Sequence, residues 1–265
     1  MPTSDPKHYL PVLQKSLWFN GLPAAAAQDL LSEATVLHLG AGQQLFLRGD
    51  SFDGIYCVLE GGLRVTGIAP NGQENLFSVI SPPTWFGEIA FFDGLPRTHD
   101  ALAVGPTVLL RVSPARLHEL VRTDPQWSFR LAVLMAQKTR LLFFALEAIA
   151  RLDTQARLAR VIAMTVTQGG TAIPDLVGRI SPLNQGSLAE TLGVTRQTVA
   201  AGLKVLQDQG IVSLSYRRVT VTDWPRLCEM AKIDAEYPPP SRQRDDTPAN
   251  EGVTQNMPHR KPGDC

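Results

Sequence analysis

Residues 86–98, FGEIAFFDGLPRT, combine a glycine, a carboxylate and an arginine in a pattern that can bind an anion. Gly87 permits close approach of the backbone, and backbone N–H groups along such a loop can form an anion-binding nest. Arg97 can pair with a phosphate, and Glu88 can accept hydrogen bonds from hydroxyl groups. The pattern therefore predicts a small-ligand site, although a glycine turn with a surface arginine is also common in loops that bind nothing.

A second group of polar residues lies in a segment that predicts a helix-turn-helix. In residues 187–210, SLAETLGVTRQTVAAGLKVLQDQG, a first short helix ends at a glycine, and Thr195 can cap a second helix through its side-chain oxygen. Val199, Leu203 and Leu206 recur at helical spacing, which gives the second helix a buried face. The opposite face of that helix is polar and is expected to be exposed.

The first turn of such a second helix can contact base edges in the major groove of DNA. Arg196 can form two hydrogen bonds with guanine, and Gln197 can do the same with adenine. Residues 211–221, IVSLSYRRVTV, predict two strands around an arginine-containing turn, a wing that could bind phosphate. The predicted DNA contacts are Asn184, Gln185, Ser187, Thr195, Arg196, Gln197, Thr198, Ala200, Lys204, Arg217 and Arg218. The alternative is a helical hairpin that contacts protein.

One long helix is predicted between these two regions. Residues 124–152, DPQWSFRLAVLMAQKTRLLFFALEAIARL, begin with a proline in the first turn and contain no later proline or glycine. Apolar residues recur at alternating spacings of four and three, which is typical of a coiled coil. The predicted seam with a second subunit is Leu131, Met135, Lys138, Leu142, Ala145, Ile149 and Leu152. Because the other faces are also apolar, one of them is expected to pack on the upstream region. An ordinary core helix is the alternative.

The remaining segments complete a two-domain arrangement. Short apolar or alternating runs from Thr35 to Val112, divided by glycines, predict a small barrel or sandwich of strands, with a hairpin tip at Ala69–Gly72. Residues 1–32 and 113–120 are expected to form short helices. From Tyr237 onward the apolar content is too low to offset the entropy of ordering, and this tail is predicted to be disordered.

Composition limits the possible functions. The formal net charge is zero, but residues 151–235 hold ten basic and seven acidic residues, which weakly favours a phosphate-facing surface there. The three cysteines follow no disulfide or metal spacing, are too few for a four-thiolate iron–sulfur cluster, and fit a reducing cytoplasm. The histidines form no spaced metal set, and no nucleophile motif is present. Neither a metal, an enzymatic activity nor a membrane span is expected.

The stretch LAETLGVTRQTVAAGLKVLQDQGIV resembles the helix-turn-helix of the cyclic-AMP receptor protein and fumarate–nitrate regulator (Crp/Fnr) family of bacterial transcription regulators. The order of β-rich domain, long helix and winged helix also matches, over about residues 17–223. The resemblance implies an α+β fold with a β-roll sensor at 1–123, a dimerisation helix at 124–152, a winged helix-turn-helix at 153–236 and a tail at 237–265. It also implies a cytoplasmic homodimer that binds a near-palindromic operator in double-stranded DNA, with RNA polymerase as a further partner.

The same resemblance makes residues 86–98 a phosphate-binding cassette for cyclic AMP or another cyclic nucleotide. Gly87 and Glu88 would hold the ribose, and Arg97 and Thr98 the cyclic phosphate. Ile89 and His99 complete the predicted effector site. The chain departs from the family at His99, where a small residue is usual, and at residues 143–146, where no hydroxyl is available to a base. Another small ligand, no ligand, or a ligand-binding module that acts on a partner protein without DNA therefore stay open.

Overall fold

The computed structural model of the chain describes residues 5–68, 74–167, 180–181, 184–215 and 218–233. The chain begins with a 3-10 helix at Pro6–Tyr9, followed by the short helices α1 (Leu10–Leu13), α2 (Leu17–Asn20) and α3 (Ala24–Leu31). The hydroxyl of Ser16 caps α2, and the four elements place buried side chains such as Leu13 and Leu30 against the strands that follow.

Eight strands follow within the described residues 35–68 and 74–112. They are β1 (Thr35–Leu39), β2 (Gln44–Phe46), β3 (Ile55–Glu60), β4 (Leu63–Ile68), β5 (Glu74–Ile80), β6 (Trp85–Phe86), β7 (Asp100–Ala103) and β8 (Thr107–Val112). They form two antiparallel sheets, in the orders β1-β8-β3-β6 and β2-β7-β4-β5. The β-rich prediction is confirmed. The two-residue strand β6 was not predicted, because so short a run has no detectable alternation. The predicted hairpin tip lies outside the described residues.

A short helix, α4 (Ile89–Asp93), lies between β6 and β7, and α5 (Pro114–Thr123) and α6 (Gln126–Arg151) follow β8. The first half of α6 belongs to the sensor core, where Trp127, Leu131 and Leu134 are buried among the N-terminal helices and the strands. The indole N–H of Trp18 donates to the carbonyl of Arg130 at 2.7 Å, which fixes α6 against α2. In the second half of α6, Leu142 and neighbouring apolar residues are exposed.

This arrangement corrects part of the predicted dimer seam. Leu131 is only 1% exposed and packs within its own chain, and the ammonium of Lys138 contacts Glu88 of the sensor. Leu131 is therefore covered by the sensor of its own chain, and Lys138 is partly covered and already paired. Met135, Ala145 and Leu152 are partly buried, Leu142 is exposed, and the side chain of Ile149 lies outside the described part of the structure.

The C-terminal domain is built from α7 (Thr154–Val166), β9 (Ile180–Ser181), α8 (Gln185–Leu192), α9 (Arg196–Asp208), β10 (Val212–Ser215), β11 (Arg218–Val221) and α10 (Trp224–Ala231). The strands form an antiparallel sheet in the order β10-β11-β9. A separate core, with members from all four helices, closes this domain. The predicted winged helix-turn-helix is therefore confirmed. Arg217 and the predicted tail from residue 237 lie outside the described residues.

Arg160 connects the long helix with the end of the C-terminal domain. It is buried on α7 and donates to the carbonyls of Ala231 at 2.8 Å and Lys232 at 2.6 Å. One of its guanidinium nitrogens also lies 3.7 Å from the carboxylate of Glu147 on α6. The orientation of the C-terminal domain is thus held by contacts as well as by the short α6–α7 connection. Among the helices that the structure describes, none is long and apolar enough to cross a membrane.

Candidate functional site

Arg97 lies at the floor of the predicted effector site and is 5% exposed. Its guanidinium donates to the carbonyls of Gly54 at 2.6 Å and Gly87 at 3.1 Å, and it forms an ion pair with Asp53. The ring of Phe46 lies 4.4 Å below the guanidinium carbon, close enough for a cation–π interaction. The Nε atom of Arg97 is buried and has no hydrogen-bond partner in the described part of the chain. The guanidinium of Arg97 is therefore held from several sides, while its Nε N–H is left unpaired among the described residues.

Gly87 is required where the cassette crosses Arg97. Its φ of +99° is a conformation that residues with a side chain rarely adopt. A Cβ atom at this position would lie 2.9 Å from a guanidinium nitrogen of Arg97 and 3.0 Å from the carbonyl oxygen of Gly54. The sequence prediction that Gly87 serves close backbone approach thus has a direct geometric reason.

Asp53 is a member of the site that the sequence did not indicate. Its carboxylate accepts hydrogen bonds from Arg97 and from the hydroxyl of Tyr56, while its carbonyl accepts from Arg111 at 2.7 and 2.9 Å. Burial raises the pKa of Tyr56, and its hydrogen bond to Asp53 raises that pKa further. The phenol therefore stays protonated and remains a donor. A carboxylate next to β3 was the available signal, but nothing in its spacing connects it with Arg97.

Glu88 meets the long helix rather than solvent. It is 1% exposed, and one of its carboxylate oxygens lies 2.8 Å from the Nζ of Lys138 on α6. This ion pair joins the cassette to the helix that leads to the C-terminal domain. The sequence signal for this ion pair was Lys138, a charged residue within the apolar stripe of α6. Such a residue requires a partner or solvent because a buried charge is costly.

The other predicted effector residues are Ile89, Thr98 and His99. Ile89 and Thr98 are exposed, and the Nδ1 of His99 is 2.9 Å from the hydroxyl of Thr98. The ring of His99 packs edge-on against Phe77, with centroids 4.6 Å apart. Burial lowers the pKa of His99, and the nearby Arg48 lowers it further, so the imidazole is neutral near pH 7.

On α6, Phe143 and Leu146 are exposed and carry no hydrogen-bonding group for a base.

The candidate nucleic-acid interface is the exposed face of α9. Thr195 caps the helix by accepting from the N–H of Thr198 at 3.1 Å, as the sequence predicted. Val199, Leu203 and Leu206 are buried in the domain core. The polar face and the cap are exposed, and this set comprises Thr195, Arg196, Gln197, Thr198, Ala200 and Lys204.

A cleft of about 460 Å³ lies between this helix and the wing. Its lining brings together predicted contacts from three elements, namely Asn184, Gln185, Arg196 and Arg218. Asn184 also caps α8 by accepting from the N–H of Ser187 at 3.0 Å, so Ser187 lies at the same helix end. The guanidinium of Arg196 lies over Gly186, where an added Cβ would be 3.2 Å from one of its nitrogens. Helix ends and basic side chains therefore face one surface.

Comparisons with known proteins match both domains. Residues 36–124 match the cyclic nucleotide-binding domain, and residues 156–230 match the Crp-like helix-turn-helix domain. The chain is 24% identical over 221 residues to the CRP-like cAMP-activated global transcriptional regulator of Mycobacterium tuberculosis, covering 83% of this chain and 99% of that protein. It is 28% identical over 190 residues to the cyclic AMP receptor protein of Thermus thermophilus, covering 72% of this chain and 85% of that protein.

Among solved structures, FixK2 from Bradyrhizobium japonicum superposes with a TM-score of 0.63 at 20% identity, covering 74% of this chain and 96% of that chain. At this identity the similarity shows the fold alone. The two domain matches, their order along the chain and the named relatives together show the family, which is one of transcription regulators and not of enzymes. The chain belongs to the Crp/Fnr family of bacterial transcription regulators and carries a cyclic nucleotide-binding domain followed by a Crp-like helix-turn-helix domain.

Proposed function

We propose that the chain is a homodimeric, sequence-specific DNA-binding regulator whose sensor binds a small anionic effector. The observation that carries the DNA-binding part is the face of α9, where Arg196, Gln197 and Lys204 are exposed opposite a fully buried apolar face. A helix that presents such residues beyond its cap can enter the major groove. The cleft beside it supplies Asn184 and Arg218 for phosphate contacts. Action in the cytoplasm and contact with RNA polymerase follow from this function and stay predictions.

The second half of α6 supports dimerisation. Leu142, Phe143 and Leu146 are 60% or more exposed on one arc of the helix. Exposed apolar patches of this kind mark contact surfaces, since they are costly in water. Beyond the sensor, they are free to pack on the same residues of a second copy. The proposed dimer surface therefore begins at Leu142, in the second half of α6, whereas the seam predicted from the sequence begins at Leu131.

The sensor pocket supports an anionic effector with a sugar-like or hydroxyl-bearing part. Arg97 keeps a buried donor without a partner in the described residues, and the carboxylate of Glu88 can accept from a hydroxyl group. A cyclic nucleotide fits this donor set, with its phosphate at Arg97 and Thr98. The apolar side chains of Phe143 and Leu146 can contact a base but cannot read its edge. Lys138 joins this site to α6, so a ligand that changes its contact with Glu88 can bias the helix.

For DNA binding, we expect Arg196→Ala to cost about 1–3 kcal/mol at one base pair and to relax specificity there. Arg218→Ala should weaken all duplexes to a similar degree and lower the salt slope by about one unit, because it removes a phosphate contact. Fluorescence anisotropy over a salt series with operator and mutated duplexes measures both effects. Arg122→Ala removes the same charge from the exposed surface of α5 and should leave binding unchanged. Identical behaviour of the first two variants would contradict the proposed division of contacts.

For assembly, we expect Phe143→Glu to convert a dimer at micromolar concentration into a monomer, since it places two like charges in the proposed apolar contact. Leu95→Glu is the matched control, because Leu95 is 61% exposed and lies in the loop that follows α4, outside α6. Light scattering on both variants and on the unaltered chain measures the mass. A monomeric unaltered chain, or a dimer that persists in Phe143→Glu, would remove α6 beyond Leu142 as the interface.

For the effector, we expect calorimetry to detect binding of cyclic AMP and cyclic GMP with similar affinities. Arg97→Gln should weaken both about ten- to hundredfold, since a hydrogen bond to a charged group contributes about 1.5–3 kcal/mol. Arg122→Gln should leave both affinities unchanged, and thermal melting establishes that each variant is folded. Absence of heat with either nucleotide would refute the cyclic-nucleotide proposal. A strong preference for cyclic AMP would show that the base is read by groups other than residues 143–146.

A further inference from the structure

The ribbon formed by β4 and β5 contacts the C-terminal domain directly. Val79 on β5 packs against the core of that domain. Arg64 lies opposite Val79 across the ribbon, and one of its guanidinium nitrogens is 3.8 Å from the carboxylate of Glu190 on α8. The sensor and the helix-turn-helix therefore meet at a second place, in addition to α6.

The same strand reaches the effector cassette. The pairing of β4 with β5 shifts between Val65 and Thr66, so Phe77 has no residue opposite it and forms a β-bulge. Bulges redirect side chains, and here the ring of Phe77 packs edge-on against His99, which in turn contacts the hydroxyl of Thr98. Phe77 and Val79 are two residues apart. One short piece of β5 thus touches the cassette at one end and the C-terminal domain at the other.

The contact between the ribbon and α8 is weakly held. The side chains of Arg64 and Glu190 are 42% and 52% exposed, and exposed ion pairs contribute little to stability. The Nε of Arg64 is buried without a hydrogen-bond partner among the described residues. A buried polar atom without a partner opposes the contact. A contact with these properties can open and close, as a regulated one must.

The docked arrangement leaves the proposed DNA-binding face free. Arg196, Gln197 and Lys204 on α9 are exposed while Val79 and Glu190 are in contact with their partners. Docking through α8 therefore restricts the orientation of the C-terminal domain without covering its recognition surface. Restricting an unbound protein to its bound orientation lowers the cost of binding.

We propose that the β4–β5 ribbon is a second connection between sensor and DNA-binding domain, parallel to α6, and that the docked arrangement is the one that binds DNA. The existence of this second connection is argued from the contact alone. The claim that the docked arrangement binds DNA rests on the proposed function. A displacement of Thr98 or His99 by a ligand would be transmitted to α8 through Phe77 and Val79, independently of α6.

The test compares Val79→Asp with the unaltered full chain by hydrogen exchange and by duplex binding. An aspartate at the apolar contact should speed exchange of the α8 amides from Leu188 to Leu192 by threefold or more and weaken duplex binding by about three- to thirtyfold. Val104→Asp is the control, because Val104 is 56% exposed and lies after β7, outside the β4–β5 ribbon. It should change neither quantity.

A charge exchange keeps the test valid if Val79→Asp fails to fold. Arg64→Glu and Glu190→Arg alone place like charges together and should each speed exchange in α8, and the double variant should restore it. Unchanged exchange in all of these variants would overturn the contact. Faster exchange in α8 together with unchanged or tighter duplex binding would overturn the claim that the docked arrangement is the one that binds DNA. If the unaltered chain binds no duplex, the proposed function fails, and the exchange data still decide whether the ribbon holds the domain.

Discussion

The structure depends on α6 being one continuous helix that serves two surfaces. Over its first half, Trp127, Leu131 and Leu134 are part of the sensor core, so this end of the helix cannot move without disturbing that core. Over its second half, Leu142, Phe143 and Leu146 are exposed and require another surface to cover them. A 26-residue helix, roughly 40 Å long, then carries any displacement of the sensor to the connection with α7.

Two ion pairs determine what the sensor can bind. Arg97 pairs with Asp53, and Lys138 pairs with Glu88, so the charges in the pocket balance one another. An anion entering the pocket meets a guanidinium that is already held by a carboxylate and two carbonyls. In the proposed anion site, binding energy would therefore come from Thr98, from burial and from the Nε of Arg97, which has no partner among the described residues, rather than from an unpaired cation. A ligand that also engages Glu88 competes with Lys138, which is the point at which ligand binding and the position of α6 become linked.

Local sequence signals predicted the C-terminal domain well because each of them is decided within one or two turns of helix. Thr195 caps α9, a glycine ends α8, and the spacing of Val199, Leu203 and Leu206 defines a buried face. Spacing along α6 predicted an apolar stripe but could not tell which protein surface would cover it. The spacing places Lys138 on a seam with a second subunit, and the structure pairs its ammonium with Glu88 of the same chain. The role of Asp53 was missed because 44 residues separate it from Arg97, and only the packing of β3 against the cassette brings them together.

Selection of binding sites from a pool of random duplexes by the full chain tests the central claim most directly, because it requires both base reading and assembly. The account predicts enrichment of an inverted repeat with half-site centres about 10 base pairs apart, the separation of two recognition helices on one face of DNA. Enrichment of a single asymmetric half-site would contradict the symmetric dimer, and no enrichment at all would contradict sequence-specific DNA binding.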